Sequence, residues 1–186
     1  LKEVISFIEN KDLLPYVFEE KEEEFFKEHI NYSEIIGQGS SKRVMQISAA
    51  GKHNVLLYGT PGAGKTMLAR ALPSIMPPLS KKEEIEIAKI YSISGLFSDD
   101  YSINRPFRNP HHTITRTALV GGGKEIKAGE ITLAHNGVLF LDEMPEYSRN
   151  TIEALRQSLE DGTITISRNM KSIEYPSNFI LIASMN

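Results

Sequence analysis

The sequence predicts an α/β fold, a parallel β-sheet with helices on both faces, and two observations support this prediction. Apolar runs suited to buried strands occupy residues 54–58, 138–142 and 179–184, and stretches with helical periodicity separate them. Strands joined by helical crossovers pair in parallel. The chain of 186 residues is long enough for one buried core, and its 40% apolar and 24% charged residues are typical of a globular protein.

The first 30 residues are set apart by their charge. They hold four Lys against nine Asp or Glu, a balance of −5 within a formal net charge of −3, and the acids concentrate in "EEKEEE" at 19–24. Such a run indicates a solvated linker or an exposed helix face, with an interaction tail as the alternative. We expect residues 1–30 to be the tail of a preceding domain plus an acidic linker, and residues 31–186 to form the main domain.

The first predicted helices follow from periodicity and capping residues. In "IIGQGSSKRVMQISAAGKHN", a loop leads into a helix with Val44, Ile47 and Ala50 on one face. Further along, "SKKEEIEIAKIY" begins with Ser80 and Glu83 in the spacing of a capping box, which satisfies N–H groups at a helix start. Both stretches are therefore predicted to be helices.

Two more elements follow the second strand. The stretch "TIEALRQSLEDG" predicts a helix with Ile152, Leu155 and Leu159 facing inward, closed by Gly162. The stretches "TITIS" and "SIEY" alternate with period two around "RNMK", which predicts a β-hairpin. Residues 101–128 show no such pattern and predict an irregular, glycine-rich segment.

A glycine-rich loop follows the first strand. In "GTPGAGKT", the spacing of Gly59, Gly64, Lys65 and Thr66 is that of a phosphate-binding P-loop. The glycines let backbone N–H groups converge on phosphate oxygens, Lys65 neutralises phosphate charge, and the Thr66 hydroxyl binds Mg²⁺. A glycine-rich turn without a ligand is the alternative. The loop residues predicted to bind nucleotide are Gly59, Thr60, Pro61, Gly62, Ala63, Gly64, Lys65, Thr66 and Met67.

Polar residues end the second and third strands. Asp142 and Glu143 follow "GVLFL", and Asn186 follows "FILIASM". Asp142 is predicted to hold Mg²⁺ together with Thr66, and Glu143 to deprotonate an attacking water. Asn186 would contact that water or the terminal phosphate. By themselves, an Asp-Glu pair and a strand-ending Asn more often begin turns, but the P-loop favours catalysis, with ATP and Mg²⁺ as the cofactors.

Several longer stretches resemble one protein family in their order along the chain. They are "GKHNVLLYGTPGAGKTMLARALPSIMPPL", "RPFRNPHHT", "ALVGGG", "GEITLAHNGVLFLDEMPE", "LRQSLEDGTITISR" and "LIASMN". Over residues 36–186 the chain resembles AAA+ ATPases of the magnesium-chelatase-like family, of the YifB and ComM type. The resemblance implies a P-loop NTPase αβα sandwich of AAA+ type and places Ile36 near the adenine. It also implies that the last core strand, the arginine finger and the lid are missing, so we expect a fragment with slow turnover by itself.

The resemblance further implies a ring, hexameric in the complete protein, that drives branch migration of DNA. A basic segment agrees with DNA as a partner, because residues 101–128 carry five Lys or Arg against one acid, Glu125. The alternative is a surface segment whose arginines pair with nearby acids or contact a neighbouring subunit. The five basic residues are Arg105, Arg108, Arg116, Lys124 and Lys127. Two other functions stay open: a magnesium-chelatase-type ATPase subunit and a non-catalytic nucleotide-binding scaffold.

Composition and isolated residues narrow the remaining possibilities. The chain has no Cys, which excludes a disulfide framework and a thiolate zinc site, and no apolar run approaches the length of a membrane span. The charged start does not resemble a signal peptide, so a cytoplasmic location without membrane contact is expected. His111 and His112 are expected to point apart and to serve packing. Arg156 and Arg168 could contact substrate or a neighbouring subunit, with a structural or solvated role as the plainer interpretation.

Overall fold

A four-stranded parallel sheet lies at the centre of this protein in the computed structural model. The structure describes residues 30–97, 103–123, 127–168 and 171–186, without the side chains of residues 167, 168 and 171. Residues 1–29 of the predicted tail and acidic linker lie outside the described residues. Lys124 and Glu125 of the basic segment also lie outside them.

The central sheet confirms the α/β prediction. Its strand order is β1-β8-β5-β2, and each neighbouring pair is parallel. The three predicted apolar runs form β1, β5 and β8, whereas β2 was not predicted because it consists of only two residues. The described strands are β1 (Val55–Tyr58), β2 (Phe107–Arg108), β3 (Gly121–Gly122), β4 (Lys127–Ala128), β5 (Val138–Leu141), β6 (Thr163–Arg168), β7 (Lys171–Pro176) and β8 (Ile180–Met185).

Helices pack against both faces of this sheet. The described α-helices are α1 (Gly39–Gly51), α2 (Lys65–Ala71), α3 (Lys81–Ile93), α4 (Arg116–Val120), α5 (Glu130–Leu133) and α6 (Arg149–Asp161). Met45 of α1 and Leu68 of α2 share one core cluster with Phe140 of β5. The next residue of that strand, Leu141, belongs to a second cluster with Leu155 of α6. Strand β5 is therefore buried on both faces, which explains its continuous apolar run.

The predicted inner face of α1 needs correction, and that of α6 needs it at one residue. In α1, Val44 and Ile47 are 47% and 49% exposed, and Ala50 is exposed as well. Met45 and Ala49 pack against the sheet instead. The helix therefore turns a different face to the sheet from the one that its larger apolar residues predict. In α6, Leu155 is buried as predicted, but Leu159 is 39% exposed because the helix turns this residue away from the core.

The segment predicted to be irregular contains regular structure. Within its described part it forms β2, α4, β3 and β4, and β2 adds a strand to the central sheet beside β5. The connection is tight, because a Cβ added at Gly137 would lie 2.0 Å from the carbonyl oxygen of Pro106. A glycine in the turn before β5 thus allows β2 to pair.

The predicted hairpin is confirmed as the antiparallel pair β6 and β7, in which Ile164 pairs with Tyr175 and Ile166 with Ile173. A smaller antiparallel pair, β3 and β4, packs beside it. The two pairs are in contact, since a Cβ added at Gly121 would lie 2.6 Å from Cδ1 of Ile166. No helix in the described ranges has the length and apolar character needed to span a membrane.

Candidate nucleotide and metal site

Three strand ends meet at the carboxyl edge of the central sheet. Tyr58 of β1 pairs with Met185 of β8, and Leu141 of β5 pairs with Ala183. The loop after β1 and the acids after β5 therefore lie on either side of the end of β8. In parallel α/β sheets this edge is where ligands bind.

The loop between β1 and α2 has the backbone of a phosphate cradle. Gly62 and Gly64 each have a φ of 78°, a left-handed conformation that glycine adopts without steric cost. The Ala63 N–H donates to the Thr60 carbonyl at 3.3 Å, which closes the turn, and α2 begins directly after it at Lys65. The first N–H groups of a helix lack intrahelical acceptors, so this end of α2 favours an anion.

The Lys65 ammonium lies at the centre of the loop. Its Nζ donates to the carbonyl oxygens of Gly59 at 2.5 Å and Thr60 at 3.1 Å. It also donates to Oδ1 of Asn186 at 2.6 Å, a residue 121 positions away at the end of β8. The predicted phosphate-binding lysine and the predicted phosphate-sensing amide are therefore in direct contact.

The acids after β5 approach the start of α2. The Thr66 hydroxyl donates to Oδ2 of Asp142 at 3.1 Å. The Ser184 hydroxyl, fully buried in β8, donates to Oδ1 of Asp142 at 2.5 Å and accepts from the Glu143 N–H at 3.0 Å. Glu143 itself is exposed, with φ 52° and ψ 52°, so the chain turns sharply as it leaves the strand.

The donor set formed by Thr66 and Asp142 fits a magnesium ion. A hydroxyl and a carboxylate are hard oxygen ligands, and Mg²⁺ commonly uses one or two protein oxygens together with phosphate oxygens and water. The 3.1 Å contact of these two groups brings both to the same point beside the phosphate loop. Among the described residues, no group of three or more His, Cys, Asp or Glu is placed to hold a metal ion.

A cleft of about 390 Å³ opens over these groups. Its lining residues are Pro61, Gly62, Ala63, Gly64, Lys65, Thr66, Met67, Asp142, Glu143 and Asn186. Gly59 and Thr60 adjoin it through their bonds to Lys65. Ile36, placed near the adenine by resemblance, is 95% exposed and does not line the cleft.

Two further residues contact this region, and one of them, Ser184, was not singled out from the sequence. Gln38, two positions after Ile36, donates a side-chain hydrogen bond to the Ala63 carbonyl of the loop. Ser184 contacts both acids after β5. A signal for Ser184 exists in hindsight, because alternation along a strand points residues 184 and 186 to the same side.

The two adjacent histidines stack rather than point apart. The ring centroids of His111 and His112 are 4.1 Å from each other, and the His111 Nδ1 contacts the Thr113 hydroxyl at 2.9 Å. The His112 ring meets Tyr147 edge-on at 6.5 Å. The Tyr147 hydroxyl donates to the Pro110 carbonyl at 2.5 Å; burial, with a smaller contribution from Asp142, raises its pKa to about 12. These contacts tie the segment after β2 to the turn after Glu143, which supports the predicted packing role.

The basic segment divides into structural and exposed residues. Arg105 is buried and donates to the carbonyl oxygens of Pro77 and Asn136, so it is part of the core. Arg108 forms a two-bond ion pair with Glu130 at 2.6 and 2.8 Å. For these two arginines the structure favours the alternative, a structural role, because protein acceptors already occupy the guanidinium groups. Arg116 and Lys127 are exposed.

Arg156 and Arg168 are the two predicted contact residues outside the basic segment. Arg156 is exposed and bonds Glu160 one turn along α6 at 3.0 Å, which agrees with a structural role on the helix surface. The side chain of Arg168 lies outside the described residues, so its contact with substrate or a neighbour stays a prediction.

Comparisons with known sequences agree with the family resemblance described from the sequence. A sequence profile of the family described as "Magnesium chelatase, subunit ChlI" matches residues 31–186. The uncharacterized protein YifB of Salmonella typhimurium is 52% identical over 154 residues, covering 82% of this chain and 30% of YifB. The competence protein ComM of Haemophilus influenzae is 44% identical, with 100% of this chain and 38% of ComM covered. The chain thus spans roughly a third of the length of the curated relatives it matches.

Solved structures share the fold at low sequence identity. In the complex between subunits BchI and BchD of magnesium chelatase, one chain matches with a TM-score of 0.65 and 22% identity, over 86% of this chain and 56% of that one. NtrX from Brucella abortus in complex with ADP matches with a TM-score of 0.56 and 21% identity, over 82% of this chain and 31% of NtrX. These similarities support the α/β fold.

Proposed function

Because this chain belongs to the family of magnesium chelatase subunit ChlI, a group of AAA+ proteins, we propose that residues 31–186 form an ATPase core that binds ATP with Mg²⁺ and hydrolyses it. Residues 1–30 would be the tail of a preceding domain plus a linker. One observation carries the proposal: Lys65, Asn186 and the Thr66–Asp142 pair, from three separate strand ends, line a single cleft.

Nucleotide binding would use the loop and the start of α2. The N–H groups around Gly62 and Gly64 would contact phosphate oxygens, and Lys65 would exchange its bond to Asn186 for a terminal phosphate oxygen. Thr66 and Asp142 would hold Mg²⁺, which when bound neutralises phosphate charge. The ADP in the NtrX structure supports an adenine nucleotide as the ligand of this fold.

Hydrolysis would rely on Glu143. Its carboxylate accepts a proton from water as the water oxygen attacks the terminal phosphorus, and the bond from that phosphorus to the bridging oxygen breaks to release ADP. Asn186 would contact the terminal phosphate through its amide. Within the described part of the chain, the Glu143 carboxylate has no hydrogen bond or ion pair that would occupy it.

We further propose that the complete protein forms a ring of six subunits that moves DNA. Support comes from the similarity to the competence protein ComM and from the assembly of subunits in the magnesium chelatase complex. The β3–β4 and β6–β7 pairs pack together, and exposed Arg116 and Lys127 lie on this part of the molecule. Exposed basic residues of this kind suit contacts with phosphate backbones.

A magnesium-chelatase-type ATPase subunit is the second candidate, favoured by the family description and by the BchI–BchD neighbour. The two functions predict different stimuli for the same ATPase. ATP turnover of the complete protein should rise with single-stranded, duplex or branched DNA in the first case. In the second it should rise only with a partner subunit of the magnesium chelatase type, as BchD is for BchI.

The catalytic proposal is tested with Glu143→Gln. We expect at least about a hundredfold loss of turnover, because a general base contributes that much or more, while nucleotide affinity is retained. Glu146→Gln is the matched control, since Glu146 is an exposed acid in the next turn of the chain and outside the cleft. Wild-type turnover in the Glu143→Gln protein would refute the role of this carboxylate.

A further inference from the structure

We propose that Ser184 is a positioning residue that holds Asp142 and Glu143 in the geometry needed for magnesium and water. This inference rests on the proposed function. Ser184 is fully buried in β8, between the strand that leads to the phosphate loop and the strand that leads to the acids. Its hydroxyl contacts both acids at once, as donor to one and acceptor from the other.

The first contact orients the Asp142 carboxylate. Oδ1 accepts from Ser184 at 2.5 Å and Oδ2 accepts from the Thr66 hydroxyl at 3.1 Å. A carboxylate held at one oxygen cannot rotate freely about its last bond. Ser184 thereby directs the second oxygen at Thr66, where the proposed magnesium ion would lie. Replacing a residue that orients a metal ligand in this way typically costs about tenfold to a hundredfold in metal affinity or activity.

The second contact fixes the turn at Glu143. Its backbone is left-handed, with φ 52° and ψ 52°, a conformation uncommon for residues other than glycine. The Glu143 N–H donates to the Ser184 hydroxyl at 3.0 Å, so this backbone donor of the turn has a partner. The chain then enters the short 3₁₀ helix Met144–Glu146. The direction in which Glu143 leaves the strand therefore depends on a hydroxyl 41 positions away.

The register of β5 and β8 places Asp142 beside Ser184. Leu141 pairs with Ala183 in the parallel β5–β8 ladder, so the residues that follow them, Asp142 and Ser184, are neighbours by register. Alanine at 184 would leave Oδ1 of Asp142 and the Glu143 N–H without their shared partner. Threonine would keep the hydroxyl.

The test measures nucleotide affinity with and without magnesium. A fluorescent ADP is titrated in excess Mg²⁺ and again in EDTA, for the wild-type chain, Ser184→Ala and Ser184→Thr. We expect Ser184→Ala to bind like wild type in EDTA. Its magnesium gain, the ratio of the affinity in Mg²⁺ to that in EDTA, should be about tenfold smaller than in the wild type. Tenfold is the lower end of the range for residues that orient metal ligands. Ser184→Thr should restore most of the gain.

Ser48→Ala is the matched control, because Ser48 is buried and its hydroxyl donates to the His53 carbonyl at 2.6 Å, away from the cleft. It should keep the full magnesium gain. The inference is overturned if Ser184→Ala keeps that gain, or if Ser48→Ala loses as much. If Ser184→Ala does not fold, Ser184→Cys replaces it; sulfur is a weaker donor, and an undiminished gain would again overturn the inference. Absence of magnesium-dependent binding in the wild type would instead refute the proposed function.

Discussion

Arg105 offers a direct test of the structural interpretation of the basic segment. Its guanidinium donates to the carbonyl oxygens of Pro77 at 2.8 Å, Asn136 at 2.7 Å and, more weakly, Pro78 at 3.3 Å. Glu83 lies 3.8 Å away and offsets part of the burial that lowers the pKa of this arginine. The side chain therefore links the segment before β2 to the loop before α3 and to the turn before β5.

Arg105→Met keeps most of the apolar volume and removes all of these bonds. Two well-formed bonds from a charged donor, at about 1.5 kcal/mol or more each, give an expected loss of about 3 kcal/mol in the free energy of unfolding. For a chain of this size that corresponds to a melting temperature lower by roughly 6–12 °C.

Urea denaturation followed by circular dichroism measures this loss. Arg116→Met is the matched control, because Arg116 is exposed; it should change the free energy of unfolding by less than about 0.5 kcal/mol. Equal stability of the two variants would refute the structural role of Arg105 and would return it to the list of candidate DNA contacts.

Two further predictions concern nucleotide affinity and pH. Lys65→Ala should weaken binding of fluorescent ATP by about tenfold to a hundredfold, since hydrogen bonds to charged groups contribute about 1.5–3 kcal/mol. Lys89→Ala, on the exposed side of α3, is the control. Equal affinities of the two variants would contradict the phosphate role of Lys65. Burial lowers the pKa of His135 below its ordinary 6.5, while the nearby Glu86 and Glu83 raise it and Lys52 lowers it further. The fold therefore favours neutral His135, whose Nδ1 accepts from the Asn178 N–H at 3.1 Å, and this stability is complete above the unfolded pKa and is lost as pH falls below about 6.5. Urea unfolding should thus be easier at about pH 5.5 than at 7.5, and less of this pH dependence should remain in His135→Gln; an identical pH dependence in that variant would exclude His135 as its source.

The sequence by itself determined the parts of this protein that depend on neighbouring residues. Apolar runs specify buried strands, so β1, β5 and β8 were predictable within a residue or two. Glycine spacing specifies a loop with positive φ angles, as Gly62 and Gly64 have. Because parallel strands place their carboxyl ends at one edge, these local patterns also predicted that Lys65, Asp142 and Asn186 would meet there.

Other features could not be read from local patterns. Strand β2 has only two residues, and its pairing depends on the close approach allowed by Gly137. The face that α1 buries depends on how this helix packs, which its weak apolar periodicity leaves open. Arg105 had the same appearance in sequence as exposed Arg116, yet carbonyl oxygens 27 to 31 positions away draw it into the core.

Tertiary structure alone decided which side chains act on one another. Ser184 looks like any small polar residue near a strand end, and only the β5–β8 register brings it against Asp142 and Glu143. The physical reason is one of range. Backbone preferences and hydrophobic periodicity act over a few residues and are written in adjacent letters, whereas a hydrogen bond across 42 positions exists only after the chain has folded.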